Sequence, residues 1–543
     1  MRQLLLYISL LLLAPAYAQE ATPEQKRLIY FTDKKDSPYS LQQPLQYLSQ
    51  KALDRRQRQS ISLKERDLPV NPAYVNGLKS KGAKVWYTSR WFNAAVVQCS
   101  DAKLAELEAL PYVKSSTTLN RIAVPKDNTL GTIESIAVAA VSESRTTFGP
   151  SYHQANMLGS VALHDNGFKG EGMTIAVLDA GFPGVNTINA FSHLFQKNRV
   201  KGTFDFVLKQ NNVYGAHSHG TSVLSTMAAY EPGKIVGTAY EANYILLRTE
   251  DAATEHNIEE INWLLGAEYA DSAGADVINS SLGYNTFDSP SRSYTYAEMD
   301  GNTSLVAKAA DLAAAVGILV VTSAGNEGNK TWKYIASPAD ADSVLTVGAV
   351  DSLGVKASFS SFGPSADGRI KPDVVALGLR AYVLSASGNL VKSNGTSFSG
   401  PIMAGFAASL WQASPTKTNF EMIQLIRQSG SQANNPDNSI GYGIPNYSRT
   451  LTSLGNLPGP DKVMITNPVT DKPVILILGQ EWLSRPLEIQ ILDATGKSLL
   501  RQQVKQPVLE QQLKLNPYSL AKGLYLCRVS NGLSVTTIRF IKL

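Results

Sequence analysis

Asn394-Gly395-Thr396-Ser397-Phe398-Ser399-Gly400-Pro401 sets Ser397 among small residues at the mouth of a long apolar run. A serine flanked by small residues, at the start of the apolar run Phe398 to Gln412, reads as a nucleophile on the first turn of a buried helix. The N–H groups at such a terminus favour developing negative charge, and Gly395 and Ser399 leave room for a peptide. A serine hydroxyl is a weak nucleophile by itself. It needs an imidazole to take its proton and a buried carboxylate to orient that imidazole.

Working outward, the chain offers His219 and Asp179 for these tasks. The apolar run Thr174 to Leu178, bounded by Gly172 and Gly181, predicts a buried strand that delivers Asp179 at its carboxyl end, where open α/β sheets bind ligands. The small apolar segment Gly220 to Tyr230 predicts a buried helix with His219 at its amino end, and Gly220 allows a tight turn there. His217 is a rival base, set aside as a surface residue because only His219 carries the Gly-Thr continuation.

The words Asp179-Ala-Gly181, His219-Gly-Thr-Ser-Val and Gly395-Thr-Ser-Phe-Ser-Gly-Pro401, in that order, resemble the three motifs of the subtilisin-like serine proteases, the subtilase family. Ala180 stands where a hydroxyl residue is commoner. A fourth word, Ser323-Ala-Gly-Asn326-Glu-Gly328 after the apolar run Gly317 to Val321, implies by the same resemblance that Asn326 donates its amide to an oxyanion. Asp276 to Gly283 is similar to the strand edge that pairs with substrate, which implies substrate-binding roles for Ser281, Leu282 and Gly283. Tyr284 departs from a commoner small residue and is expected to narrow the specificity pocket. Ala336 is expected to floor it and to favour an apolar residue before the cut bond. Phe359 to Pro364, Asp367 to Asp373 and Gly441-Tyr-Gly443 also look subtilase-like, and read as structure.

Met1-Arg2, the apolar run Leu4 to Leu13 and the exit Ala16-Tyr-Ala18 read as a secretory signal peptide over 1–18. Residues 26–120, with a strand at Arg27 to Thr32, a helix at Asn71 to Ser80 and a strand at Ala94 to Val97, predict a small α+β unit. Its position makes it resemble a subtilase propeptide, which implies an intramolecular inhibitor. Residues 121–150 read as a linker holding the processing region, 151–453 as the catalytic domain, 454–463 as a second linker, and 464–543 as a β-sandwich. Asn467-Pro468, Leu492 to Lys497, Gly523 to Leu526 and Ile538 to Leu543 look like the C-terminal sorting domain of type IX secretion cargo, with a carbohydrate- or protein-binding sandwich as the alternative.

The expected architecture is therefore α/β: a subtilisin-like parallel sheet flanked by helices, with a small α+β propeptide and a C-terminal β-sandwich. With only 2 cysteines, Cys99 and Cys527, in different expected domains, no bridge is expected and stability rests on a large core. Charge is unevenly shared. Lys26 to Asn120 carries 16 basic against 8 acidic residues (16 − 8 = +8), and Ser151 to Gly455 carries 19 against 26 (19 − 26 = −7). The two parts either attract each other or are ordinary solvated surfaces. Neither shows the basic, aromatic-interleaved stripe of a nucleic-acid binder, so no nucleic-acid partner is expected.

The expected function is a secreted or cell-surface serine endopeptidase, made as an autoinhibited precursor, with protein or peptide substrates, its own propeptide and a secretion machinery as partners. No metal or cofactor is expected in catalysis, and structural calcium is left open because Tyr230 to Ile235 shows no clear oxygen cage. Two other readings remain. His217 and His219 with Asp179 as a metal site is disfavoured by a total of 6 histidines and no His-Glu-x-x-His. A catalytically silent display protein is disfavoured by the intact constellation.

Overall fold

A computed structural model describes residues 24–119, 143–453 and 463–465 and, with short gaps, 469–542. The expected signal peptide and most of the expected linkers lie outside these residues. The chain separates into two compact units. Among the described residues, one holds 24–43, 64–119 and 256–258, and the other holds 44–63, 143–255 and those from 259 onward.

The first unit is a four-stranded antiparallel sheet in the order Lys84–Ser89, Ala94–Cys99, Gln25–Phe31, Val113–Thr118. Helices Pro72–Ser80 and Asp101–Glu108 complete it. Pro72 opens its helix where its missing N–H costs nothing, and the Asn71 side chain caps the turn by accepting from Ala73 N. Ile29, Phe31, Leu78, Val97, Cys99 and Leu107 form the core. Cys99 and Cys527 are both buried and free.

The second unit is built on a seven-stranded parallel sheet in the order Val374–Leu377, Leu345–Val350, Leu319–Ser323, Val277–Ser280, Thr174–Asp179, Asn243–Arg248, Val200–Asp205. Every residue of the Thr174–Asp179 and Leu319–Ser323 strands is buried, as helices on both faces of a parallel sheet require. Later strands add on either side of Thr174–Asp179, so the chain order reverses beside its carboxyl end. That is where crevices open in such sheets. The helix Thr396–Ala413 is buried along most of its length, with Phe398, Ile402, Met403 and Phe406 in the main core.

One expectation needs correction. The stretch 121–150 was expected to be linker throughout, but its end is ordered as the helix Glu143–Phe148 and the turn Gly149–Ser151. Phe148 explains this: it is buried with Ala155, Val161, Val236 and Tyr240, and its ring stacks on His164 at 5.5 Å. A single aromatic anchor does not register as periodicity.

The C-terminal residues form two antiparallel sheets, Val463–Ile465, Ile475–Leu478, Glu510–Gln512 and Ser498–Val504, Leu487–Asp493, Gly523–Ser530, Val535–Lys542. Their inner residues, among them Leu476, Ile489, Ile491, Cys527 and Phe540, share one core, so this is the expected sandwich. Among the described residues no helix is long and apolar enough to cross a membrane.

Candidate active site

The carboxyl end of the central strand carries Asp179, which is fully buried. Its Oδ1 accepts from the Ala180 N–H at 2.8 Å and pairs with His219 Nδ1 at 2.8 Å. Its Oδ2 is buried without a partner among the described residues. Ala180, lacking a hydroxyl, has nothing to offer it. His219 opens the helix His219–Ala228. Gly220 is essential to this approach, because a Cβ there would lie 2.4 Å from the Gly181 carbonyl oxygen and 3.0 Å from Asp179 Cβ.

Burial opposes the charged form of His219, but the charge and hydrogen bond of Asp179, with help from Glu250, outweigh it and raise the imidazole pKa above its ordinary value. His217 is exposed, as expected, and its Nδ1 accepts the His219 backbone N–H at 3.3 Å. The side of its ring turned to the protein is partly desolvated, and this with the neighbouring His219 lowers its pKa.

Ser397 lies in the first turn of Thr396–Ala413 and is 9% exposed. Its neighbour Phe398 brings its ring centroid to 6.1 Å from that of His219. Among the described residues the His219 ring and the Ser397 hydroxyl are not hydrogen-bonded to each other.

Asn326 follows the Leu319–Ser323 strand. Its Oδ1 accepts from Thr396 N at 2.9 Å and Thr396 Oγ1 at 3.0 Å, which leaves Nδ2 as the donor aimed elsewhere. The loop is braced from two sides. Ser323 Oγ donates to the Thr396 carbonyl at 2.9 Å, and Ser361 Oγ accepts from Glu327 N at 3.0 Å. Thr396 and Ser361 were not singled out as site residues in the sequence. Thr396 precedes the serine, but its hold on a residue 70 positions upstream is a tertiary fact.

Ser281, Leu282 and Gly283 continue the Val277–Ser280 strand past its paired section. Ser281 is buried and its Oγ donates to the Ser397 carbonyl at 3.0 Å, while Leu282 is half-buried and Gly283 exposed. Tyr284 pairs with Ser337 through N–H···O bonds of 2.7 and 3.1 Å, which ties this edge to the segment holding Ala336. Its ring is buried against Phe287 and its hydroxyl bonds the Glu250 carboxylate, so Tyr284 is fastened to the loop after Arg248.

Three family models match the chain: the subtilase family over residues 170–443, the Bacteroidota peptidase S8 propeptide domain over 26–131, and the secretion system C-terminal sorting domain over 466–543. Subtilisin NAT of Bacillus subtilis subsp. natto is 30% identical over 67% of this chain and 82% of its own. Subtilisin DY of Bacillus licheniformis is 33% identical over 51% and 89%, and M-protease of Shouchella clausii 28% identical over 63% and 80%.

The chain belongs to the subtilase family. This subtilase is a subtilisin-like serine endopeptidase, made as a precursor with a propeptide and carrying a sorting domain that assigns it to the secreted or cell-surface proteins.

Other subtilase-like words are structural, as expected. Lys371 Nζ bonds Asp373 Oδ2 at 3.0 Å and Thr346 Oγ1 at 2.9 Å, and Arg427 adds a second cation to Asp373. Glu250, Glu255 and Glu259 of this subtilase place carboxylate oxygens within 4.8 Å of one another. Burial pushes Glu250 to about 7, partly offset by hydrogen bonds from Tyr284 and Thr249, and burial with Glu250 and Asp288 pushes Glu255 to about 8.

Proposed function

We propose that Ser397 is the nucleophile, His219 the general base and acid, Asp179 the group that orients the imidazole, and Asn326 Nδ2 with the Ser397 N–H the oxyanion donors. The observation that carries this reading is the 2.8 Å contact of His219 Nδ1 with a fully buried Asp179 carboxylate. Holding Nδ1–H on the carboxylate leaves Nε2 unprotonated and able to accept the serine proton. Ser397 then attacks the peptide carbonyl, the imidazolium returns the proton to the leaving amine, and the same ring activates water to release the acyl group. Thr396 holds the Asn326 carboxamide by its oxygen, which sets the amide in the orientation a donor needs.

Ser281 to Gly283 serve as the edge that pairs with substrate, since the exposed backbone at Gly283 has no strand beside it among the described residues. A Cβ on Gly283 would come within 3.4 Å of Ala336 Cβ, so these two small residues line one recess suited to an apolar side chain before the cut bond. The chemistry needs no cofactor. Protein or peptide substrates bind at this edge, the propeptide acts as an intramolecular inhibitor, and the sorting domain is recognised by the secretion machinery. A serine-directed phosphonylating reagent should label Ser397 and abolish peptide hydrolysis, with a chelator leaving the rate unchanged. Labelling at another serine, or full activity in Ser397→Ala, would overturn the assignment.

A further inference from the structure

The propeptide match begins at residue 26, yet residues 44–63 fold with the catalytic unit. Within that segment lies the helix Gln50–Arg58, capped by Ser49, whose side chain accepts from Ala52 N and whose own N–H donates to the Ser272 carbonyl at 2.9 Å. Its cations are spent on the catalytic unit. Arg55 is fully buried, bonding Asp271 and the Ala275 carbonyl and reaching the Val316 carbonyl at 3.1 Å. Arg56 meets the other Asp271 oxygen at 2.8 Å. Lys51 and Arg58 flank Asp276 at 3.0 and 3.1 Å. Gln59 donates to the Gly317 carbonyl at 2.7 Å and accepts from Asn419 N at 2.9 Å.

The recipient surface is shaped for this helix. Ala275, Val316 and Gly317 lie just beyond the carboxyl ends of helices Ile258–Ala273 and Leu305–Ala315, where the negative pole of each favours cations. Gly274 and Gly317 have φ of 85° and 91°. A Cβ on either would stand 2.7 Å from an atom of the segment, Lys51 Cβ or Gln59 Nε2. The bonded partners Asp276 and Thr174 lie at the amino ends of their strands. Asp179 is at the carboxyl end of Thr174–Asp179, about 17 Å away at ~3.3 Å per residue.

We propose that residues 49–59 are a second recognition element of the propeptide, separate from the cleft, and that the groove formed by Asp271, Asp276 and the carbonyls at 275, 316 and 317 holds the propeptide on the enzyme after the chain between them is cut. This rests on the peptidase reading only for the origin of the cut. Once covalent linkage is lost, the segment stays because leaving would strand its guanidinium groups and two carboxylates that are 0–2% exposed. Part of the asymmetry of +8 and −7 between the two parts of the sequence thus becomes a specific contact, four cations on two carboxylates and two helix ends.

The test uses the full Ser397→Ala precursor with a site for an added protease placed within 121–142, so that failure of the anchor and failure of the Ser397 assignment give different results. After cutting, retention of the propeptide is followed by size-exclusion chromatography, and hydrogen exchange is followed in 49–59 and 271–276. The expected result is continued co-elution with both segments protected, and release at least tenfold faster from the Arg55→Gln/Arg56→Gln precursor. If that double variant does not fold, the exchange measurement on the precursor with Arg55 and Arg56 intact decides alone. Loss of protection in 49–59 at the moment of cutting, or equal release rates, would overturn the proposal.

Discussion

The two ends of the parallel sheet are built on opposite rules. At the amino edge, Asp271 and Asp276 each take two cations and Arg55 uses three acceptors, so the buried charges are paired. At the carboxyl edge, Asp179 Oδ2 has no partner among the described residues, Asn326 has committed only its oxygen, and the Ser397 hydroxyl is unbonded to His219. The first edge spends its polar groups on holding a segment. The second leaves polar groups uncommitted, as the proposed catalytic reading requires of a preorganised site.

The largest effect should come from the carboxyl edge. Ser397→Ala should lower kcat/KM by ~10⁴-fold or more with the melting temperature preserved, a scale taken from subtilisins rather than derived from this site. Next is the amino edge. Arg55→Ala leaves Asp271 short of one partner in a buried site and should cost the precursor ~3–5 kcal/mol in denaturant unfolding. Mature enzyme freed of the propeptide, and so of residue 55, should be unchanged. A precursor as stable as the parent would erase the contrast between the edges.

Under the oxyanion role proposed for its Nδ2, Asn326→Leu should lower kcat by ~10²–10³-fold with little change in KM, again on the family's scale. The pH profile tests the electrostatics more finely. In the proposed mechanism His219 must be neutral to accept the serine proton, and its pKa is raised, so kcat/KM should fall, as pH is lowered, at a midpoint above the ~6.5 of free imidazole. Glu250→Gln removes one source of that increase and should move the midpoint down. In the parent, Glu250 binds its proton more tightly folded than unfolded, with a folded value of about 7, so its contribution to stability is lost as pH rises from ~4.5 through about 7. Glu250→Gln should flatten that decline. The smallest effect concerns Ala180. Ala180→Ser supplies a hydroxyl beside the unpartnered Asp179 Oδ2 and should raise stability by about 1 kcal/mol, read as a higher melting temperature.

Much of the site was legible because its parts are local words. A strand end, a helix start and a glycine-flanked serine each announce themselves within a few residues, and the expected elements around Asp179, His219 and Ser397 are those observed. The supporting contacts were not legible. Thr396, Ser361 and the Tyr284–Glu250 bond act across 70, 34 and 34 positions, and no local pattern carries such a pairing. Tyr284 shows the consequence: a bulky residue expected to narrow the pocket is buried and tied to a neighbouring loop. The helix at Glu143–Phe148 escaped for the same reason, since its order rests on Phe148 finding a distant apolar cluster.

By itself the sequence determined which chemical groups are present, the elements that carry them, and the charge imbalance between propeptide and catalytic parts. Those properties follow from backbone preference, hydrophobic spacing and composition, which act over short range. Only the tertiary structure decided that Asp179 meets His219 with one oxygen left over, and that four of the basic residues, all on one helix, meet two buried carboxylates at the far end of the sheet. Both depend on which strand ends and helix ends are brought side by side, a matter of packing the whole chain.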